Sequence, residues 1–176
     1  MKLSSQVLVF FAFVLAVRCQ NLLLNVGGPD LPVANFARDP TANLLSSASA
    51  SVALPSNTVP LNSSWGPIYS TYRYAFGGNI AYRFNVSKGN YSVAMAFAET
   101  YLPAFFVGAR QFDVVINEVV YFKRLDVFAT VGANSPLYLR VDDIAIADGQ
   151  LTIVMQRVEG RQNPLLSALV IKPSVV

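Results

Sequence analysis

The stretch FAETYLPAFFVGARQFDVVIN, residues 97–117, holds a strand end, an aromatic loop and a second strand in one run. Just upstream, Tyr91, Val93, Met95 and Phe97 alternate with Ser92, Ala94, Ala96 and Ala98, a period-two pattern with one bulky and one small face. Glu99 closes that strand. Tyr101, Leu102, Phe105 and Phe106 then fall in a connection containing Pro103 and Gly108, where a purely structural chain would place polar turn residues. Two placements are open for these rings. Held out between rigid strands, they make a contact surface of large, low-entropy faces. Folded back, they make a lid on the core.

Outward from this stretch the chain reads as strand after strand. Residues 21–26 form a first strand stopped by Gly27-Gly28-Pro29. A long polar and small-residue segment follows from Asp30 to about Ser64, with no convincing amphipathic helix, and reads as an irregular surface excursion. Beyond Trp65, residues 80–86 are expected to pair with residues 91–99 across Ser87-Lys88-Gly89-Asn90. Residues 112–116 and 119–122 flank Asn117-Glu118, a tight hairpin candidate, and strands are expected at 125–128 and 137–146. Asp148-Gly149 gives the strongest hairpin signal, joining 144–146 to 151–157, and residues 165–172 close the series. About eight or nine short strands separated by turns mean an all-β fold, an antiparallel β-sandwich rather than a βαβ architecture.

The first nineteen residues read as a secretory leader: Lys2 is positive, residues 7–17 are almost unbrokenly apolar, and Cys19 offers a small side chain for cleavage before Gln20. The apolar run, about eleven residues, falls short of the roughly twenty that span a bilayer. Residues 20–176 then make one domain, large enough to bury a proper core. Cys19 is the only cysteine, so no disulfide is expected after cleavage. The C-terminus, Lys172-Pro173-Ser174-Val175-Val176, carries no retrieval tetrapeptide. The expectation is a secreted, extracellular protein with no membrane anchor once the leader is removed. N-glycosylation sequons at Asn62, Asn85 and Asn90 fit that route, and Asn85 and Asn90 flank the turn Lys88-Gly89. Removing Lys2 and Arg18 from thirteen basic residues leaves eleven against ten acidic ones, about +1. They are scattered, with no cluster to follow a phosphate backbone, so nucleic acid is not an expected partner.

Much chemistry is ruled out. The chain has no histidine, which removes the usual general base and the commonest transition-metal ligand. A carboxylate pair, as in glycoside hydrolysis, is the remaining cheap route to catalysis. Its candidates are Glu99, Asp113, Asp126, Asp142, Asp143 and Glu159. Glu99 and Asp113 sit at neighbouring strand ends, able to approach each other or Arg110, and ion pairing or bonding to loop amides is the expected role. Asp142 and Asp143 are adjacent on a strand and should point to opposite faces, a poor arrangement for chelating one ion. No metal, no cofactor and no enzymatic activity are expected.

The chain resembles a malectin domain, the β-sandwich carbohydrate-binding module of the ER lectin malectin and of plant receptor-kinase ectodomains. The matching marks run in order: Leu24-Asn25-Val26-Gly27-Gly28, Phe36-Ala37-Arg38-Asp39-Pro40, Arg73-Tyr74, and Phe97-Ala98-Glu99-Thr100-Tyr101. Then come Phe112-Asp113-Val114, Leu125-Asp126-Val127-Phe128, Asp148-Gly149-Gln150-Leu151, and Asn163-Pro164. The resemblance implies a jelly-roll, galactose-binding-like sandwich of malectin type whose end loops hold sugar, gluco-oligosaccharides among the candidates. It points to Tyr74 and Tyr101 as ring and hydroxyl contacts. Leu102 stands where the family has the second aromatic of a Y-F pair, with Phe105 or Phe106 as substitutes, and Gln162 stands for the aspartate before N-P. These departures bear on diglucose specificity rather than on sugar binding as such. The family's plant receptors are associated with peptide and protein ligands, so the partner classes are a glycan or glycoprotein, or an extracellular protein or peptide bound after loss of sugar binding. Trp65 is expected either to stack on sugar or to staple the long excursion to the sandwich. Phe97, Phe112, Val114 and Ile116 are expected in the core.

Overall fold

A computed structural model describes residues 21–45, 49–54 and 66–174. The leader residues 1–19, the Asn62 sequon and Trp65 lie outside the described residues. In chain order the strands are β1 (Leu22–Asn25), β2 (Ala37–Arg38), β3 (Ser49–Ala53), β4 (Thr71–Ala75), β5 (Ile80–Asn85), β6 (Gly89–Ala98), β7 (Phe112–Ile116) and β8 (Val119–Leu125). A short helix α1 (Val127–Val131) precedes β9 (Pro136–Ile146), β10 (Gln150–Arg157), β11 (Leu165–Leu166) and β12 (Ala168–Pro173). They form a five-stranded sheet β2-β1-β12-β6-β9, a four-stranded sheet β5-β10-β7-β8 and a small sheet β11-β4-β3, antiparallel except for the β1–β2 pair. The fold is an antiparallel β-sandwich.

β6 holds the layers together. Its bulky side chains Tyr91, Val93, Met95 and Phe97 are at most 1% exposed and meet Phe112, Val114, Ile116, Leu151, Ile153 and Met155 in the main core. Its small face, Ala94, Ala96 and Ala98, is buried too, under Phe36, Ile68 and Tyr69. Methyl groups on that side leave room for chain to lie against the outside of the sheet. For its described part, residues 30–45 and 49–54, this corrects the reading of the segment 30–64 as an irregular surface excursion; the rest lies outside the described residues. Phe36 is buried at 1%, residues 49–53 form β3 on the edge of β4, and Leu44 bridges to Tyr82 of β5.

Strand pairing corrects two further expectations. β5 and β6 are not partners: β5 pairs with β10, while β6 pairs with β12 and β9. Asp148-Gly149 is a turn, with Gly149 at φ 81°, but it sends the chain from β9 in one sheet to β10 in the other. The two crossings meet at one rim, where the Val86 amide donates to the Gly149 carbonyl at 2.9 Å. Asn117-Glu118 does close the β7–β8 hairpin, both residues at positive φ as a two-residue primed turn requires.

Residues 125–128 are not a separate strand. Leu125 ends β8, and Asp126 caps α1 by accepting from the Ala129 amide at 2.9 Å. Asp142 and Asp143 do not face opposite ways. A register shift against β6 and a φ of 58° at Asp143 form a bulge that leaves both exposed.

The Gly27-Gly28 corner joins the layers. Asn25 is fully buried, its amide donating to the Pro29 carbonyl at 2.8 Å and its Oδ1 accepting from the Thr71 hydroxyl at 2.9 Å. A Cβ on Gly28 would overlap both the Asn25 amide and the Thr71 hydroxyl. Gly28→Ala is therefore expected to lower unfolding stability by about 1–3 kcal/mol, the usual cost of overpacking. Urea denaturation reads this directly, and an unchanged midpoint would contradict the packing described.

Candidate functional site

Tyr72, Tyr74 and Phe76 follow one another at period two, so β4 and its extension present three rings along one side. Tyr74 meets Phe76 edge-on at 4.9 Å between ring centres, and Tyr72 lies tilted at 6.3 Å. Arg73, between them, takes the opposite side. Its Nε and Nη2 donate to Asp39 Oδ2 at 2.9 and 2.8 Å, and the Tyr82 hydroxyl reaches the same oxygen at 2.6 Å. Asp39 Oδ1 accepts from the Gly27 amide at 3.1 Å. The Arg73-Tyr74 dipeptide thus divides its work: arginine anchors the strand inside, tyrosine faces out.

These rings form one wall of an open cleft of about 470 Å³, lined by Val52, Tyr72, Tyr74, Phe76, Tyr101, Arg110, Gln162 and Asn163. The opposite wall comes from the segments after β6 and β10. Glu99, fully buried, bonds the Arg110 guanidinium at 2.6 Å from Nε and accepts the Tyr101 amide at 3.1 Å. Arg110 Nη1 donates to the Asn163 carbonyl, the Gln162 amide donates to the Ala109 carbonyl at 2.9 Å, and Asn163 Oδ1 accepts from the Gly77 amide at 3.0 Å. One buried ion pair therefore ties three separate loops together. Burial pushes the Tyr72 phenol above its ordinary value, against the opposing pull of Arg110, so it stays protonated near neutral pH.

Tyr74, Tyr101 and Gln162, the positions singled out from the sequence, come together in this cleft. Tyr101 is 44% exposed, while Tyr74 and Gln162 are half-buried. Leu102 and Phe105 are not among the lining residues. Leu102 is 75% exposed on the loop crest, and Phe105 stacks on Phe128 at 6.0 Å. That stack, with the Gly108 amide donating to Asp126 Oδ2 at 2.6 Å and Arg161 Nη1 to the Gly108 carbonyl at 2.8 Å, holds the aromatic loop out from the core. Val52, Tyr72, Phe76, Arg110 and Asn163 were missed as lining residues. The period-two series Tyr72, Tyr74, Phe76 was a usable signal for Phe76; Val52 had none, since its place depends on β3 pairing.

Among the described residues lining the cleft, none is a carboxylate. Asp113 accepts from the Arg124 amide at 2.6 Å, Asp126 caps α1, and Asp142 pairs with Arg140 at 2.7 Å on the surface. Among the described residues lining the cleft the one cation, Arg110, is paired with Glu99. What remains is rings, phenols and amides: apolar faces for stacking and dipoles for neutral hydroxyls.

A family model of the malectin domain matches residues 21–169, and the chain belongs to the malectin domain family. The ANXUR1 extracellular domain from Arabidopsis thaliana superposes with a TM-score of 0.73 at 19% identity, over 88% of this chain and 48% of that one. A structure of plant peptide RALF23 in complex with FER and LLG2 gives 0.75 at 18% identity, over 86% and 48%. Beta-glucuronidase of Bacteroides uniformis gives 0.69 at 18% identity, over 89% of this chain and 18% of the enzyme. These likenesses are of fold. In sequence, kinesin-like protein KIN-14E of Oryza sativa subsp. japonica is 31% identical over 121 residues, covering 62% of this chain and 11% of that protein. The chain thus spans about half of the receptor ectodomains and a small part of the other two. Among the described residues no helix is long and apolar enough to cross a membrane.

The ion pair sets the next expectation. Glu99→Ala leaves a buried guanidinium uncompensated and is expected to cost about 3–5 kcal/mol in chemical denaturation. The isosteric Glu99→Gln, still able to accept one hydrogen bond, should cost less. Equal stability for Glu99→Ala and wild type would contradict a structural role.

Proposed function

We propose that this domain is a non-enzymatic carbohydrate-binding module that takes a neutral glycan, gluco-oligosaccharides among the candidates, in the cleft between Tyr74 and Tyr101. The observation carrying this reading is that Tyr74, Tyr101 and Gln162, from three distant parts of the chain, line one open cleft with no uncompensated charge. Tyr74 and Phe76 offer faces to the C–H side of a pyranose ring. The Tyr101 hydroxyl and the Gln162 amide offer bonds to its hydroxyls. Each such bond replaces one to water and gains only about 0.5–1.5 kcal/mol, so binding by a single module is weak. Non-enzymatic action is supported by the cleft's lack of carboxylates, and the likeness to a glucuronidase covers only 18% of that enzyme.

Titration with gluco-oligosaccharides tests the reading. Tyr101→Ala, at an exposed position, should weaken binding about tenfold or more while leaving unfolding stability within about 0.5 kcal/mol of wild type. Absence of binding by the wild type, or equal binding by the variant, would overturn it.

A second reading has its own support. Leu102, Phe106 and Val107 are 75%, 59% and 71% exposed on the loop beside the cleft, an apolar crest suited to an extracellular peptide or protein. Capture of an extracellular protein undisturbed by competing sugar would favour this over the lectin reading.

We further propose that residues 1–19 are a cleaved leader and that residues 20–176, the malectin-like domain, are exported. The leader carries that reading rather than the fold, since a similar stretch lies within a kinesin-like protein. Asn85 and Asn90 are both exposed and accessible to a glycan. Expression in a secreting eukaryotic host should yield a form whose mobility shifts with endoglycosidase, with a smaller shift in Asn85→Gln. Protein retained inside the cell, with no shift, would count against export.

A further inference from the structure

The mouth of the cleft is rimmed with apolar tips. Phe76 is 60% exposed on one wall, and Leu102, Phe106 and Val107 stand on the loop beside the other. That loop is anchored from beneath by Ala104 and Ala109, both buried, and by the stack of Phe105 on Phe128. Side chains so exposed on a loop so fixed stand proud rather than line a groove, which suits a yielding apolar surface better than a folded partner. Tyr101 and Leu102 are consecutive, as are Arg161 and Gln162, so the cleft lining passes into its apolar surround within one residue on two loops.

A cation stands against the same loop. Arg161 is exposed, and its Nη1 donates at 2.8 Å to the carbonyl of Gly108, the residue after Val107. Arg157 Nη2 reaches the Arg161 carbonyl at 3.5 Å. All ten acidic residues of the chain fall within the described residues, and none pairs with either arginine. The other end of the sandwich carries the chain's connections. β6 runs ten residues, about 30 Å at roughly 3.3 Å each, from Gly89 to the cleft end. Asn85 and Asn90 lie at its far end. There Leu22 pairs with Ile171, and the Ser174 amide donates to the Asn90 carbonyl at 2.8 Å, so the described chain enters and leaves away from the cleft.

We propose that the cleft takes the neutral sugar headgroup of a glycolipid, met while the apolar crest sits in the bilayer that carries it. This rests on the reading of the cleft as a site for neutral sugar and adds what that sugar is attached to. Leu102, Phe106 and Val107 enter the boundary between headgroups and acyl chains, to a depth of about 5–10 Å. Arg161 then meets the lipid phosphates, which a guanidinium bonds in pairs, and Tyr101 lies at headgroup height. Two weak contacts on one surface reinforce each other, so the membrane raises the avidity of the sugar site without any new sugar contact.

Vesicle flotation of the protein purified from a secreting host tests this with three probes. They are phosphatidylcholine vesicles carrying a diglucosyl diacylglycerol, vesicles of phosphatidylcholine alone, and the same diglucoside free in solution. The wild type should bind the glycolipid vesicles about tenfold or more tightly than either other probe. Val107→Asp, exposed and outside the cleft lining, should lose most of that gain while binding the free diglucoside as the wild type does. Tyr101→Ala should lose both. Should Val107→Asp fail to fold, Phe106→Asp, read for vesicle binding, decides with the wild type's three probes. A wild type that binds free diglucoside but gains nothing on vesicles, or a crest variant that keeps the gain, overturns this inference and leaves the cleft reading standing. Equal binding to plain vesicles overturns it in favour of lipid alone. Binding to none of the three overturns both readings.

Discussion

The burial of β6 on both faces is the constraint from which the rest follows. A strand with large side chains on one side and methyl groups on the other can sit in the middle of a sheet, fill the sandwich on its inner face and still admit a covering layer outside. Because Phe97 and Ala98 are both locked, the residue after them has little freedom. Glu99 emerges at zero exposure and must find a cation, and Arg110 is the one delivered by the returning loop. From that pair hang the Tyr101 amide and the Asn163 carbonyl. The cleft is thus a continuation of the core by polar means. Its exposed rings need not be held by each other, which leaves them free to meet something else.

Much of this was legible in the residues, and the failures share a cause. Alternation located β1, β5, β6, β7, β9 and β10 closely, because side-chain period depends only on neighbours along one strand. Pairing was misread where it depends on the other layer. Ser87-Lys88-Gly89-Asn90 and Asp148-Gly149 have the chemistry of turns and do turn, but turn chemistry says that the chain reverses, not which sheet receives it. Residues 125–128 read as strand from Val127 and Phe128; the Asp126 carboxylate offered the Ala129 amide a helix cap, and the local bond prevailed over propensity. The described part of residues 30–64 misled because Leu31 and Phe36, scattered among small and polar residues, look idle until the surface they cover is known. The alanines of β6 were that surface.

At the site, Tyr101 stood out among the loop aromatics, but Tyr74 and Gln162 could be singled out only through likeness to the malectin domain, since nothing in spacing says that residues so far apart share a wall. Phe76 was readable from its period with Tyr74. The pairing of Glu99 with Arg110 was among the arrangements weighed, though not its reach to Asn163. Leu102 and Phe105, offered for the cleft by the resemblance, were redirected by the loop's own packing. Phe105 found Phe128, and Leu102 was left on the crest. The family's fold sits within plant receptor ectodomains and within a bacterial glucuronidase chain, so the scaffold is common property and the cleft lining is where individuality lies.

The cleft's dispersed origin has a temporal side. Val52, Tyr74, Tyr101 and Asn163 must all be in place before the cleft exists, and Asn163 sits on the connection leading into strands β11 and β12. A ribosome-bound chain therefore lacks this cleft until residues up to Asn163 have emerged, and the long-range pairings that complete it are the slow ones. The proposed ligand capture would then be a property of the finished molecule alone.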